Sequence, residues 1–330
     1  MHIVAAPDLQ PQRDTVVVLT RENDLTADMV VEELHSRSVP VFRFDTRDFP
    51  LSLTLNAQFA DGWRGTLDSP SGSVKLESIR SIYFRRPTGF SFPDAMTDAE
   101  RRFAGSEARR GIGGLLISLP CLWLNHPARV ANAEYKPYQL AAAARYGLDV
   151  PATMLTNDPT AEGEARELLG SLLVYKPLAS ASVVDGDRLS MVYATEVSPD
   201  FIADGRIALT VHQFQERLPK ARDVRATVVG EHVYAANLYS DSPKGQLDWR
   251  ADYSSIRYER TQLPAEVERR LLALTRCLEL RFCAADFVVT PDGRYYFVDL
   301  NPNGEWGWIE QETGLPIAAA VAELLAEGQE

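Results

Sequence analysis

Near the C-terminal end two apolar stretches, Ala284 to Thr290 and Tyr295 to Leu300, are joined by Pro291-Asp292-Gly293, and each carries an acid among its apolar residues. Proline presets the φ of a turn and glycine accepts a positive φ, so the segment reads as a β-hairpin. Strict alternation along Tyr296 to Asn301 places Phe297, Asp299 and Asn301 on one face and Tyr296, Val298 and Leu300 on the other. Asp286, on the paired strand, reaches the same face. Two carboxylates and an amide make an all-oxygen set, which suits Mg²⁺, an ion that keeps several waters and leans on a few carboxylates plus phosphate oxygens. The alternative is that Asp299 and Asn301 are ordinary polar residues beside a turn.

A hairpin of this kind needs a larger sheet, and the chain supplies one. With 330 residues it is long enough for two or three domains. Thr15 to Leu19, the apolar-periodic stretch through Met29, Val30 and Leu34, and Val39 to Phe44 read as strand, helix, strand, a βαβ unit that opens a parallel sheet. Leu51 to Phe59, Trp63 to Leu67 and Ser73 to Leu76 read as short strands in antiparallel hairpins, and Ile79 to Phe84 as another apolar strand. Asp98 to Ile117 has a helical pattern, with Thr97 and Glu100 spaced as a capping box. One further helix is expected over Pro127 to Tyr146, with Gly147 as its C-cap. Leu172 to Pro177 and Met191 to Val197 are expected strands around the loop Leu178 to Arg188. Ala208 to Glu216 is another, and Val224 to Val229 with His232 to Leu238 form a hairpin across Gly230-Glu231. Helices Ala265 to Leu278 and Pro316 to Ala326 complete an α/β chain.

Composition removes several functions. A formal charge of -12 argues against sequence-independent nucleic-acid binding, which needs a basic surface. No apolar run reaches the ~20 residues of a membrane helix, and the polar start Met1 to Asp14 has no signal-peptide core, so a cytoplasmic location is expected. Cys121, Cys277 and Cys283 lack metal-ligand spacing and are expected to be buried thiols.

Cations stand where a nucleotide needs them. Lys176 ends the apolar strand Leu-Leu-Val-Tyr-Lys-Pro, where it either points into a cleft or snorkels to solvent. Lys136 lies at the head of a helix, an electropositive place that suits phosphate better than lysine. The segment Gln213-Phe214-Gln215-Glu216-Arg217-Leu218 opens from strand into loop, where a backbone edge can meet adenine while Arg225 neutralises phosphate.

With these residues in view, the chain resembles the ATP-grasp superfamily, and within it the graspetide synthetases, which make side-chain ester or amide macrocycles in ribosomal peptides. The resemblance runs from about Ile79 to Gln311. It is carried by Tyr83-Phe84-Arg85-Arg86-Pro87, Asn132 to Leu140, Tyr175-Lys176-Pro177, Gln215 to Arg225 with Thr227-Val228-Val229-Gly230, and Ala285-Asp286-Phe287 through Asn301-Pro302-Asn303-Gly304-Glu305-Trp306-Gly307-Trp308-Ile309-Glu310. It implies an ATP-grasp fold with an N-terminal pre-ATP-grasp α/β domain over 1–125, a central α/β subdomain over 126–205 and a C-terminal one over 206–330. Lys136 and Lys176 then contact the nucleotide phosphates, and Glu216 and Leu218 meet adenine. Gln215 and Lys220 belong to the same nucleotide-binding set, Arg225 faces the γ-phosphate, and Asp286, Asp299 and Asn301 hold Mg²⁺. Asp299 stands where glutamate is usual, and the phosphate-covering loop Leu178 to Ser182 has no glycine before Gly186.

The implied chemistry is ATP-dependent. A carboxylate is a poor acyl donor; taking the γ-phosphoryl group makes an acyl phosphate, which a serine, threonine or lysine side chain attacks. No enzyme nucleophile is required, and His212 and His232 are expected to be structural. Arg85 and Arg86 either bind acidic side chains of a peptide or form a surface ion pair. Trp306 and Trp308 are expected to pack beneath the active-site loop. The expected function is a peptide macrocyclase that takes a precursor with a leader and an acidic core and works as a homodimer. The alternatives are a ligase that adds an amino acid to a protein or small acid, and a nucleotide-binding regulator without turnover.

Overall fold

The computed structural model describes residues 13–179, 182–185 and 188–328. Strand Thr15–Leu19 is central to a parallel sheet in the order Val41–Phe44, Thr15–Leu19, Ile79–Phe84, Leu122–Leu124. Its period of two fills two cores. Val16 and Val18 pack with Val30 and Leu34 of helix Leu25–Ser36 and with Ile317, Val321 and Leu325 of the last helix, Ile317–Glu327. Val17 and Leu19 face the other way, onto Ile112, Leu115 and Leu116 of helix Asp98–Ile117. The opening βαβ unit is therefore as the pattern predicts. An antiparallel meander, Thr54–Phe59, Trp63–Ser69 and Gly72–Lys75, closes this second core with Leu67 and Val74. Helix Asp98–Ile117 begins at the expected capping box, in which Thr97 N donates to Glu100 at 2.7 Å and Glu100 N to Thr97 Oγ1 at 3.3 Å.

The single helix expected from Pro127 to Tyr146 is two, Pro127–Ala133 and Lys136–Arg145. Pro137 has no N–H to donate to the carbonyl of Ala133 and its ring would crowd that oxygen, so the first helix stops at Ala133 and the break falls at Tyr135, whose ψ is 99°. This break makes Lys136 the first residue of a helix, the position expected for it. Gly147, with φ +83°, ends it as expected.

Two antiparallel sheets follow. The smaller has the order Thr195–Val197, Leu173–Lys176, His212–Glu216, Thr153–Thr156. The expected strand Met191 to Val197 is divided, its first residue ending the separate pair Ser182–Asp185 and Arg188–Met191. The larger runs Ile256–Thr261, His232–Ser240, Arg222–Val229, Phe282–Val289, Tyr295–Asn301. One face of it is covered by helices Lys136–Arg145 and Ala265–Cys277 through Ala142, Leu271 and Leu274, and Phe287 and Phe297 lie in the same core. From its opposite face Val229, Ala236 and Leu238 join the core beneath the last helix. Helices Glu162–Leu169 and Gly307–Thr313 and strands Leu122–Leu124 and Ile256–Thr261 were not predicted. Cys121 and Cys283 are buried, as expected, whereas Cys277 is half-buried.

We propose domain divisions near residues 125 and 205, with the last helix returning to the first sheet, where Ser81 Oγ donates to Leu325 O at 2.8 Å. Among the described residues no helix is long and apolar enough to cross a membrane.

Candidate active site

The acid-bearing hairpin departs from strict alternation at one residue. Asp286 pairs with Asp299 but Phe287 pairs with Phe297, so Val298 is the extra residue of a β-bulge. The expected facing of Phe297 beside Asp299 is thereby corrected: Phe297 turns into the core with Leu300, both at most 2% exposed. Asp299 and Asn301 line a cavity of about 570 Å³ instead, together with Asp286 from the facing strand. Cross-strand partners bring their side chains within about 5 Å, so the two carboxylates share one site. The donors are all oxygen and fit Mg²⁺. Among the described residues no group of three His, Cys, Asp or Glu gathers; two carboxylates and an amide match an ion that keeps waters.

Each carboxylate meets a cation. Arg225, opposite Asp286 in the register, places Nη1 2.9 Å from both of its oxygens. Its Nε is buried and has no partner among the described residues, a donor left for an anion. Lys136 Nζ lies 2.6 Å from Asp299 Oδ1. Burial alone would raise the Asp299 carboxyl, but Lys136 and Lys176 outweigh it and hold it below the usual range. Lys176 points inward rather than snorkelling, its Nζ 3.3 Å from Val298 O, and burial lowers it to about 8 although Asp299 pulls the other way.

Beside this site, between the two antiparallel sheets, lies a narrower pocket whose lining includes Gln215, Glu216, Leu218, Lys220, Val174 and Val288. Strand His212–Glu216 ends there, as its sequence suggests. Glu216 is tied to the neighbouring loop, its N–H donating to Ala152 O at 3.0 Å and its carboxylate accepting from Ala152 N at 2.8 Å. Its backbone donor is therefore occupied. The N–H of Leu218, two residues past the end of the strand, has no acceptor among the described residues and is a free donor on this edge. Gln215 is buried and donates to Thr153 Oγ1 at 3.0 Å. Lys220 pairs with Asp223 at 2.8 Å and donates to Leu247 O at 3.2 Å. Burial nonetheless raises Asp223 to about 6. Of the expected phosphate-covering loop, Ser180 and Ala181, with the later Gly186, lie outside the described residues.

Arg85 and Arg86 part company. Arg85 is neither a surface ion pair nor open to substrate: its side chain is 1% exposed, 2.9 Å from Asp24 and bonded to Glu305. Just past strand Ile79–Phe84, Arg85 turns inward onto acids from residues 24 and 305, which the Arg-Arg-Pro motif alone does not reveal. Arg86 lines the cavity and holds the other Glu305 oxygen at 2.7 Å. Glu305 also accepts from Thr26 Oγ1 at 2.7 Å, and its carbonyl from Arg225 Nη2 at 3.1 Å. One loop residue thus joins the first sheet to the cleft.

Sequence reasoning missed Arg250. It lines both cavities, pairs with Asp248 at 2.8 Å, and its pKa is raised because that pairing outweighs burial. The signal was available: Asp248-Trp249-Arg250 repeats the Asp-x-Arg spacing of Asp223-Val224-Arg225. Trp249 carries Arg225 over its ring at 5.7 Å and stacks on Trp308 at 5.1 Å, so Trp308 packs as expected while also lining the cavity. Trp306 is fully buried. His212 packs on Tyr175 and Phe214, and His232 is exposed at the turn of its hairpin.

Comparison with known proteins bears on this arrangement. Residues 15–131 match the family model for the MvdD pre-ATP grasp domain. The chain is similar to a Chryseobacterium gregarium RiPP-associated ATP-grasp ligase solved with ADP and a leader and core peptide, at 27% identity and a TM-score of 0.88 over 95% of this chain and 97% of that one. It is similar to the macrocyclase MdnC of Microcystis aeruginosa MRC, solved with its precursor peptide MdnA, at 29% identity and a TM-score of 0.82 over 95% and 99%. The ATP-grasp ligase PsnB, solved with a phosphomimetic variant of its minimal precursor, Mg and ADP, shares the fold at 23% identity and a TM-score of 0.74 over 96% and 99%. No curated protein matches the sequence. The domain matched at the N-terminus and the fold shared along nearly the whole chain agree: the chain has an ATP-grasp fold opened by a pre-ATP-grasp domain, and it is similar to ligases of the graspetide synthetase branch.

Proposed function

We propose that this chain is an ATP-dependent peptide macrocyclase, which phosphorylates Asp or Glu side chains of a ribosomal precursor and joins them to Thr, Ser or Lys side chains as esters or amides. The observation that carries this reading is the pair of cross-strand acids, Asp286 and Asp299, each already held by a cation that a phosphate can claim. Likeness to ligases solved with precursor peptides supports the peptide substrate.

In this reading Asp286, Asp299 and Asn301 hold Mg²⁺, which when bound draws charge from the phosphate oxygens. The adenine enters the pocket beside Leu218 and Lys220, with Gln215 and Glu216 fixing the edge. A substrate carboxylate oxygen attacks the γ-phosphorus and the bond to the ADP oxygen breaks, giving an acyl phosphate. Two anions must approach for this step. Lys136, Lys176 and Arg225 offset their repulsion, and Arg86 and Arg250 on the cavity wall orient the incoming acid. A hydroxyl or amine then attacks the acyl carbon, its proton is lost, and phosphate leaves. The aromatic wall of Trp249, Tyr253 and Trp308 limits water at the acyl phosphate.

The partner in this reading is a precursor with a leader and an acidic core, and the working unit is a homodimer in the cytoplasm, where ATP is supplied. Neither nucleic acid nor a membrane takes part. The test is mass spectrometry after incubation with ATP, Mg²⁺ and a precursor encoded beside the gene. Loss of water from the peptide supports macrocyclisation. Mass gained from an added amino acid favours the amino-acid ligase, and nucleotide binding with no product favours the regulator.

A further inference from the structure

An open groove of about 1080 Å³ runs along helix Asp98–Ile117 on the N-terminal domain. Its helix side carries Arg101, Arg102, Arg109 and Arg110, and its other wall holds Phe90 and Phe92. The one acid among its lining residues is Asp94, in a protein whose formal charge is -12. A surface that gathers cations against the overall charge favours anions.

The arginines are not equivalent. Arg101 is spent on the backbone, donating to Phe92 O and Met96 O at 3.1 Å each, and Arg110 bonds to Ser106. Arg102 and Arg109 are exposed and have no polar partner among the described residues. Seven residues apart, they stand on one helix face, roughly 10 Å from each other along the axis. Carboxylates three residues apart on a chain in the polyproline-II conformation stand on one side with about the same spacing, roughly 9 Å.

The groove is also close to the cleft. Arg86 lines the active-site cavity and Gly89 lines the groove, so three residues, about 10 Å of chain at most, separate the two. Between them Thr88 is pinned to the buried Asp45, its N–H at 2.7 Å and its hydroxyl at 2.8 Å. The link is thus fixed rather than slack.

We propose that this groove docks an extended acidic segment of the peptide substrate, with carboxylates on Arg102 and Arg109 and apolar side chains against Phe90 and Phe92. It holds the chain of the precursor while a residue further along enters the cleft. This rests on the peptide-macrocyclase reading and adds a recognition surface to it.

The test uses the full chain and a fluorescein-labelled peptide repeating Glu-Pro-Leu, whose extended helix presents an acid about every 9 Å, with a Gln-Pro-Leu counterpart as control. Anisotropy is expected to show the acidic peptide binding in a salt-sensitive way, the Gln peptide binding about tenfold more weakly or less, and R102A/R109A losing about tenfold in affinity for the acidic peptide. Affinity for Mg·ADP and the melting temperature of R102A/R109A should match those of the parent. Equal affinity of parent and double variant, or equal binding of the Gln peptide, overturns the proposal. So does sedimentation showing that R102A/R109A splits a dimer, since a second copy then occupies the groove. Failure of every precursor to lose water would sink the macrocyclase reading alone, whatever the anisotropy reports.

Discussion

Arg225 grips Asp286 from the neighbouring strand, with one guanidinium nitrogen 2.9 Å from both carboxylate oxygens. From the start of helix Lys136–Arg145, Lys136 holds one oxygen of Asp299 at 2.6 Å. These acids and cations therefore neutralise each other, and in the proposed function a metal ion takes over the acids as phosphates take over the cations. Burying either charge alone would be costly, so both halves of the exchange depend on one another.

Asp299→Ala and Asn301→Ala should each leave a folded protein with product formation down about 100-fold or more. Circular dichroism and mass-spectrometric product counts check this together. Retained turnover in both variants would remove the metal assignment.

Arg250→Ala should lower turnover while leaving nucleotide affinity within about threefold, because in this account Arg250 orients the acid rather than the adenine. Steady-state kinetics with saturating ATP measures it. A loss confined to nucleotide affinity would place Arg250 on the phosphates instead.

Arg85 ties the first sheet to the loop that carries Glu305. Its side chain is 1% exposed against Asp24 at 2% and the half-buried Glu305. Arg85→Ala strands a buried carboxylate and should cost about 3–5 kcal/mol in urea unfolding. Glu305→Gln keeps the hydrogen-bond shape and should cost less. A midpoint for Arg85→Ala equal to that of the parent would show that the tie carries no stability.

Much of this was legible in the sequence, and the failures have physical causes. The capping box at Thr97 and the alternation of Thr15–Leu19 are local, and local rules found them. Asp286, Asp299, Lys136 and Lys176 were placed because charged groups inside apolar strands or at a helix start conflict with propensity, and such conflicts mark sites. The bulge at Val298 was invisible because register is set by the partner strand, not by the residues that alternate. Arg85 escaped for a similar reason: its acids come from residues 24 and 305, far away in the chain. Arg250 lies in a single 3-10 turn, Trp249–Ala251, too short to show periodicity, so the repeated Asp-x-Arg spacing was its one signal.

Burial raises the Asp223 carboxyl from 3.8 to about 6, beside Lys220. The native state then holds a proton that the unfolded chain has released between about pH 4 and 6, so this group's contribution to stability falls as pH rises through that window. Asp223→Asn should abolish the fall. Urea midpoints taken from pH 4 to 7 decide it, and parallel curves for the two proteins would contradict the shift.

In the proposed function magnesium and the phosphates of the nucleotide meet in one cleft. Calorimetric titration of the chain with ADP, with and without Mg²⁺, tests that most directly. The expected result is saturable binding that weakens about tenfold or more when Mg²⁺ is removed, and in Asp286→Asn even when it is present. Binding that is indifferent to both, or no heat at all, would contradict it.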